Sequence, residues 1–482
     1  MSAPDAVSAQ IIGATASGVV REMQEALFRT GYSTIIRESQ DASCAILLPD
    51  GSLGAQHVVL PLHVGAFPAC LAGVLRRYPL EEIAEGDAFL VNSPYEGGSP
   101  HAPDLAVIAP AHHRGRLIGF TASIAHKSDI GGPVPGSCSG QAREVFNEGL
   151  QIPAVRFERE GRPSVEVEAL IRANSRTPDL VMGDIRGQVG CCRIGARRLA
   201  EAAERYGADT LLGALTLLQE AARTRIRAAV AEWPDGAAEA ERPLEGAGAS
   251  VRVRVTKRGD RLRFDFAASD DQAASPANIR PPTVRAACAY AVIALTDPRQ
   301  PVNAGALDAF EVATREGSIL DPRFPAPVNT YNATVHAVIN ACFEALGRVA
   351  PGAARADGSD SRSLLFGLPA GAGARAYVQY EIFAGGSGAV DGLDGLTGCH
   401  VNQTNGRIAS VEVVETEFPV RIERFEPIPD SGGPGRWRGG LAFRRDYRVL
   451  AETMRLSVRS GKHEIPPAGA LGGAPGRCGD AV

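Results

Sequence analysis

The stretch NSPYEGGSPHAPD, residues 92–104, ends with His101 and Asp104 three positions apart, and His126 closes the apolar run that begins at Asp104. Together with Asp41 these residues make two imidazoles and two carboxylates. That donor set can hold a divalent ion and leave one coordination position open. An open position is what lets an ion polarise a carbonyl or activate water. His63 in LPLHVGAFP and Asp129 in HKSDIGG are candidates to orient the ligands or to pass protons. The spacing H-x-x-D is common, and the competing reading is a histidine that caps a loop and an aspartate that caps a strand. A second candidate is Cys138, central in GSCSG, which has the form G-x-nucleophile-x-G. A nucleophile there needs a strand-to-helix elbow, whereas the flanking DIGGPVP reads as an irregular loop, so a thiol in a glycine turn is the expectation.

The elements that must position these residues follow from periodicity. Ile12, Val19, Met23 and Leu27 recur at helical spacing, which predicts an amphipathic helix over about 5–29. SCAILLPDGSLGAQHVVL is two strand-like runs about a Pro-Asp-Gly-Ser turn, a first hairpin that begins just after Asp41. A short helix is expected at 68–77. DLAVIAPAHHRGRLIGFTASIAH predicts a second hairpin turning near Arg114-Gly115. The constant-sum rule for antiparallel partners then sets Asp104 opposite about residue 125, beside His126. Two helices are expected at 178–206 and 208–232, broken at Gly207. SVRVRVTKRGDRLRFDFAA predicts a half-exposed hairpin, and TVRAACAYAVIAL and TVHAVINACFEAL read as buried helices. From about 376 the chain reads as strands and glycine turns, SVEVVETEFPVRIERF among the strands. The stretch 232–250 is the candidate linker between a metal-site domain with a helical hairpin, 1–232, and a mixed region, 251–482. The fold class expected is α+β: N-terminal β-hairpins with packed helices, then a β-rich C-terminal region.

Bulk properties narrow the function. The chain has 482 residues, more than one ordinary core, and 44% hydrophobic content. A net charge of −5 gives no support to nucleic-acid binding, which needs a basic face. No apolar run reaches the roughly 20 residues of a membrane helix, and MSAPDAVSAQ lacks the pattern of a secretory signal. Nine scattered cysteines without a C-x-x-C point to a reduced, cytoplasmic protein. GGSGAVDG (385–392), SGGPGRWRGG (431–440) and RSGKHE match no phosphate-binding loop, so the chain carries no nucleotide site of its own by motif. The polar stretches NSRTP, GDIRGQ, PVNAG and HVNQTN are read mainly as turn chemistry, with His400 and Asn405 as possible pocket residues.

Taken together and in order, NSPYEGGSPHAPD, SIAHKSDIGGPVPGS, EVFNEGLQIP, NSRTPDLVMGDIRGQ, PVNAG and PDSGGPGRWRGGLAFRRDY resemble the signatures of the hydantoinase B family. That family is similar to the second half of 5-oxoprolinase and to subunits of acetone and acetophenone carboxylases. The resemblance runs from about residue 8 to 475. It implies a partner, a hydantoinase A type subunit that binds ATP and magnesium and phosphorylates a cyclic amide, in a hetero-oligomer. It also implies that the family's metal ligands fall on Asp41, on His101 and Asp104 of H-x-P-D, and on His126, the set suggested above by spacing. The metal would be one divalent ion of zinc, manganese or iron.

The resemblance has departures. Ser93 stands where the family has an aspartate, Pro100 adds a residue before His101, and Ala125 and Lys127 replace a glycine and a second histidine around His126. Family members run on through a glycine-rich ending beyond PPAGALGGAPGR, so a shortened C-terminus is expected. The activity implied is hydrolysis of a phosphate-activated cyclic amide. The alternatives are a subunit of an ATP-dependent ketone carboxylase and a non-catalytic scaffold.

Overall fold

The computed structural model of the chain describes residues 5–57, 60–360, 362–368 and 376–482. Helix α1 (Ala6–Thr30) starts where Asp5 accepts hydrogen bonds from the Val7 and Ser8 amides, and it buries Ile12, Val19, Met23 and Leu27 as its periodicity requires. After the short α2 (Thr34–Arg37) come β1 (Ala42–Leu47) and β2 (Leu53–His57), whose turn is closed by Asp50 accepting from the Ser52 amide. Val58 and Val59, expected to extend this hairpin, lie outside the described residues. Helix α3 (His63–Arg77) begins five residues before the expected 68, with Pro68 in its second turn, and this early start makes His63 its first residue.

Strands β3 (Ala88–Val91), β4 (Asp104–His113), β5 (Arg116–His126), β6 (Val155–Arg159) and β7 (Arg162–Pro163) join the first two in a seven-stranded antiparallel sheet ordered β2-β1-β5-β4-β3-β6-β7. Next come α4 (Val165–Ala173), α5 (Pro178–Tyr206) and α6 (Ala208–Ala231), the last two separated by Gly207 at φ +84°. Both faces of the sheet are covered, which is why its central strands read as unbroken apolar runs. Cys44, Ile46, Leu105 and Val107 pack with α1 and α5, while Ala45, Leu47, Ala106 and Ile108 pack on the face of α3.

The stretch expected as a linker is instead strand β8 (Gly236–Leu244), paired along its length with β9 (Ala249–Arg258). Its alternating exposure explains the error: a solvated edge strand rich in Ala, Glu and Gly lacks the β-branched residues by which strands are recognised. Strand β10 (Arg261–Asp265) follows. Then come α7 (Pro281–Thr296), α8 (Ala304–Leu307), β11 (Glu311–Ala313) and α9 (Asn332–Val349). The second sheet is ordered β11-β10-β9-β8, and α9 lies across β8 and β9.

A third sheet, β13-β12-β18, is built from β12 (Arg362–Gly367), β13 (Val378–Phe383) and, much later, β18 (Arg455–Arg459). Between them lie β14 (Gly385–Gly386) with β15 (Thr397–Cys399), then α10 (Val411–Glu417), and a ribbon of β16 (Val420–Pro427) with β17 (Phe443–Val449). SVEVVETE, read as a strand, is helix α10. Ser410 accepts from the Val413 amide, and the helix ends at Phe418, held extended by Pro419. A buried ion pair between Glu381 and Arg445 ties the ribbon to β13.

The β4–β5 register departs from the ideal by one residue, with consequences for the site. Leu117 faces His112 but Gly119 faces Ala111, so Ile118 is an extra residue in β5, a bulge. The slip sets Asp104 directly opposite His126 rather than opposite Ala125. Gly119 sustains it at φ +147°, where a Cβ would lie 2.7 Å from the Leu47 carbonyl oxygen. Gly119→Ala is therefore expected to lower stability by about 1–3 kcal/mol. Denaturant unfolding checks this, and an unchanged midpoint would show that the strand tolerates a side chain there.

Candidate metal centre

Strand parity brings the chemistry to one place. Asp41 immediately precedes β1 on the face of Ser43, Asp104 opens β4, and His126 closes β5. All lie at one end of the sheet on the face covered by α3. The His126 amide donates to the Asp41 carbonyl, which fastens the two strand ends together. His63 enters from the first turn of α3, its Nδ1 3.0 Å from Ser43 Oγ. His101 arrives from the glycine-proline loop, whose end is tied by the Asp104 amide donating to the His101 carbonyl.

The four expected ligands are brought together, and two further residues join them. One donor atom each from Asp41, His63 and Asp104 lie within 4.8 Å of one another, and so do those of His101, His126 and Cys138. The two triads meet where His101 Nε2 lies 3.1 Å from Asp104 Oδ1; within the first, His63 Nε2 lies 3.7 Å from Asp104 Oδ2. Every one of these residues is buried. Yet both ring nitrogens of His126 have no hydrogen-bond partner, and His63 Nε2, His101 Nε2 and Asp104 Oδ2 have nothing beyond the contacts just given. A buried polar atom left unpaired costs about 1–3 kcal/mol, so nitrogen and oxygen donors converging in this way fit a cation site. Imidazole nitrogens with carboxylate oxygens suit zinc, manganese or iron.

The electrostatics agree with that fit. Burial holds the His126 imidazole neutral, its pKa well below the usual range, which keeps a lone pair available. Burial and the neighbouring Asp104 charge push the Asp41 carboxyl up to about 7. Burial opposes protonation of His101, but Asp104 outweighs it and raises His101 to about 10. The charge of His101 and His63 in turn takes Asp104 well below its ordinary value, against its burial. Two carboxylates and three imidazoles this close are held together by protons or by a cation.

A surrounding set of residues fixes these donors. His101 Nδ1 donates to Asn329 Oδ1 at 2.6 Å, which turns Nε2 toward Asp104 and makes it the nitrogen that a cation would take in place of the proton. Asn329 is held by its own amide and that of Val328, both donating to Glu148 Oε1 at 2.7 Å, and by its Nδ2 donating to the Ser137 carbonyl. The Tyr331 ring meets His101 edge-on with centroids 4.8 Å apart, and the Tyr380 ring lies 4.1 Å from that of His126. The Cys138 thiol donates to Asn329 Oδ1, and Arg459 Nη1 donates to the Cys138 sulfur.

Two expectations change in position. His63, expected to orient the ligands or to pass protons, lies among the candidate donors. Asp129 does not: its carboxylate accepts from the Gly131, Gly136 and Arg176 amides and from the Arg176 guanidinium, so it folds the loop that carries Cys138. Cys138 sits in a loop, as expected, without the elbow a nucleophile needs, but against the two imidazoles. In HVNQTN, Asn402 rather than the exposed Asn405 turns inward, donating to His336 and Asn340. Asn329, Tyr331, Tyr380, Glu148 and Arg459 were missed. PVNTYN at 327–332, two asparagines and a tyrosine before a buried helix, was the signal available for the first two.

A family model described as hydantoinase B/oxoprolinase matches residues 5–482. The chain belongs to this family. It is 30% identical to the B-type component of a putative D-/L-hydantoinase from a Pseudomonas strain, over 98% of this chain and 83% of that one. The crystal structure of the ATP-dependent caprolactamase from Pseudomonas jessenii superposes with a TM-score of 0.85 at 27% identity, covering 93% of this chain and 79% of that one. An acetone carboxylase in its nucleotide-free form shares the fold at a TM-score of 0.88 and 19% identity, over 98% of this chain and 66% of that one. No described helix is long and apolar enough to cross a membrane.

Two outcomes follow from this family member's site. Asn329→Ala should lower the affinity for a divalent ion by about 10–100-fold, the usual effect of removing a support to a ligating histidine, as read by competition with a chelator. Burial raises the Glu148 carboxyl to about 8 against the two amides that favour its charge. A folded-state pKa above the ordinary one means the folded state holds the proton more tightly. The Glu148 contribution to stability is therefore complete below the ordinary carboxylate range and is lost as the pH rises through about 8. Glu148→Gln keeps an acceptor and has no proton to lose. The unfolding free energy of wild type relative to this variant should fall across that window, and a flat difference would contradict it.

Proposed function

We propose that this chain is the metal-dependent hydrolytic subunit of an ATP-dependent cyclic amidohydrolase, acting on an amide phosphorylated by a hydantoinase A type partner. The observation that carries this reading is the convergence of unpartnered, buried nitrogen and oxygen donors at the ends of β1, β4 and β5. The names of the Pseudomonas relatives, a hydantoinase component and an ATP-dependent caprolactamase, support the substrate class and the need for ATP. The chain itself shows no phosphate-loop motif, which fits a nucleotide bound by a partner.

Asp41, His101, Asp104 and His126 would hold one divalent ion, with His63 beside them. When bound, the ion supplies Lewis acidity and the means to make a nucleophile from water near neutral pH. The chain's own residues do the rest. Asn329 presents the Nε2 lone pair of His101, and burial keeps His126 neutral. Tyr331 and Tyr380 cover the imidazoles and exclude bulk water, which strengthens every electrostatic interaction inside. His63, anchored through Nδ1 to Ser43, has a free Nε2 with which to take or return a proton at the site. Phosphorylation answers what a metal site cannot, since an unstrained amide is a poor electrophile with a poor leaving group.

His101→Ala and Asp104→Ala are the test, each mixed with the partner, ATP and a lactam or hydantoin. Both should hold less than about a tenth of a metal per chain by elemental analysis. Both should lose more than about 100-fold in ring opening, beyond what loss of a supporting residue costs. Full ring opening by both would remove the site from the mechanism. ATP turnover that requires bicarbonate would move the assignment to the ketone carboxylases that share the fold.

A further inference from the structure

The metal reading leaves a buried charge beside the site unexplained. Arg459, the last residue of β18, is only 8% exposed, and no carboxylate among the described residues pairs with it. A guanidinium stays charged at any pH a protein survives, and a buried, unpaired charge is costly. Its Nη1 donates to the Cys138 sulfur at 3.2 Å and to the Asn329 carbonyl at 3.0 Å, while its Nε–H has no partner. The rings of Tyr331 and Tyr380 flank it at 5.9 and 5.8 Å. These neighbours are shared with the site: Asn329 and Tyr331 also touch His101, Tyr380 also touches His126, and Cys138 lies against both imidazoles. The guanidinium therefore stands just beyond the donors, held in orientation by two rings and two acceptors, with N–H capacity to spare.

The charge balance says what that capacity is for. One divalent ion neutralises Asp41 and Asp104, which leaves the positive charge of the buried Arg459 without a counter-charge beside it. We propose that Arg459 binds an oxyanionic group of the substrate, held between the guanidinium and the metal site. This inference rests on the proposed function and names the chemistry of what enters. Two sources supply such a group, the phosphoryl moiety installed on the amide oxygen or a carboxylate borne by the ring. Guanidinium recognises both through paired N–H···O bonds.

The test uses the full chain reconstituted with manganese, titrated calorimetrically with inorganic phosphate and, separately, with acetate. Arg459→Met keeps the aliphatic stem between the tyrosines and removes the charge. Arg459→Lys restores the charge without the fork and guards against a variant that fails to fold. Arg459→Met should weaken binding of at least one anion by about tenfold or more, the loss of a charge-assisted hydrogen bond. Arg459→Lys should recover part of it, and metal content should be unchanged in both. A loss for phosphate alone assigns the phosphoryl group, and a loss for acetate alone assigns a carboxylate. Loss for both establishes a general oxyanion site. Wild-type affinity for both anions in a manganese-loaded Arg459→Met protein overturns the inference and leaves the metal reading intact, as does a manganese-loaded wild type that binds neither. A wild type that retains no manganese instead overturns the metal reading.

Discussion

Lone pairs that face one another in a dry interior repel, and everything around them must justify their burial. In this chain Asp41, His63, Asp104 and His126 point into one space from β1, α3, β4 and β5, with His101 from the preceding loop, and five of their polar atoms are unpaired. A fold does not keep such an arrangement for stability, because apolar residues of similar volume would serve better there. The arrangement makes physical sense as the inside of a coordination sphere. The two core clusters on either side of the sheet then act as the frame that forces the donors together. Close packing on both faces leaves β1, β4 and β5 no freedom to splay and relieve the repulsion.

The frame was largely legible in the sequence because its signals are local. Helical periodicity placed α1, α5, α6, α7 and α9, and turn chemistry placed both N-terminal hairpins. Their antiparallel geometry was enough to bring Asp104 next to His126. The one-residue error in that register came from the bulge at Ile118. A single glycine with positive φ inside a strand, Gly119, is the mark of such a bulge, and it is easily passed over in GRLIGF. The errors elsewhere share a cause. In β8 and α10 most side chains are exposed and few are buried, so the apolar pattern that separates strand from helix or loop is too thin to decide.

The second wall of the site was not legible, for a different reason. Tyr380 and Arg459 belong to a sheet whose outer strands are separated by more than seventy residues of sequence, and Asn329 lies in the loop between β11 and α9. No spacing rule connects them to His101 or His126. RSGKHE reads only as a stretch that matches no phosphate-binding loop, whereas its first residue, Arg459, reaches the imidazoles' neighbours. Long-range β pairing is where single-sequence reasoning fails, since the register of β18 on β12 is set by packing rather than by any turn between them.

The same strand parity that gathers the buried donors also accounts for the departures from the family pattern around His126. Residues 122, 124 and 126 of β5 face α3 and the site, while Ala125 and Lys127 project to the opposite face, toward α5. There the Lys127 ammonium donates to Gln188 Oε1 at 2.6 Å and to the Ala125 carbonyl, and Gln188 in turn donates to the Leu105 and Ser123 carbonyls. A lysine in place of a second histidine therefore changes how α5 is pinned to the strand ends and leaves the donor set alone. Ser93 behaves similarly, its hydroxyl accepting from the Glu96 amide to close the turn that leads into the His101 loop. Alternation along a strand thus separates two demands on adjacent residues. One face must present unpaired donors, and the other must satisfy every polar group it buries. A substitution can change the second without reaching the first.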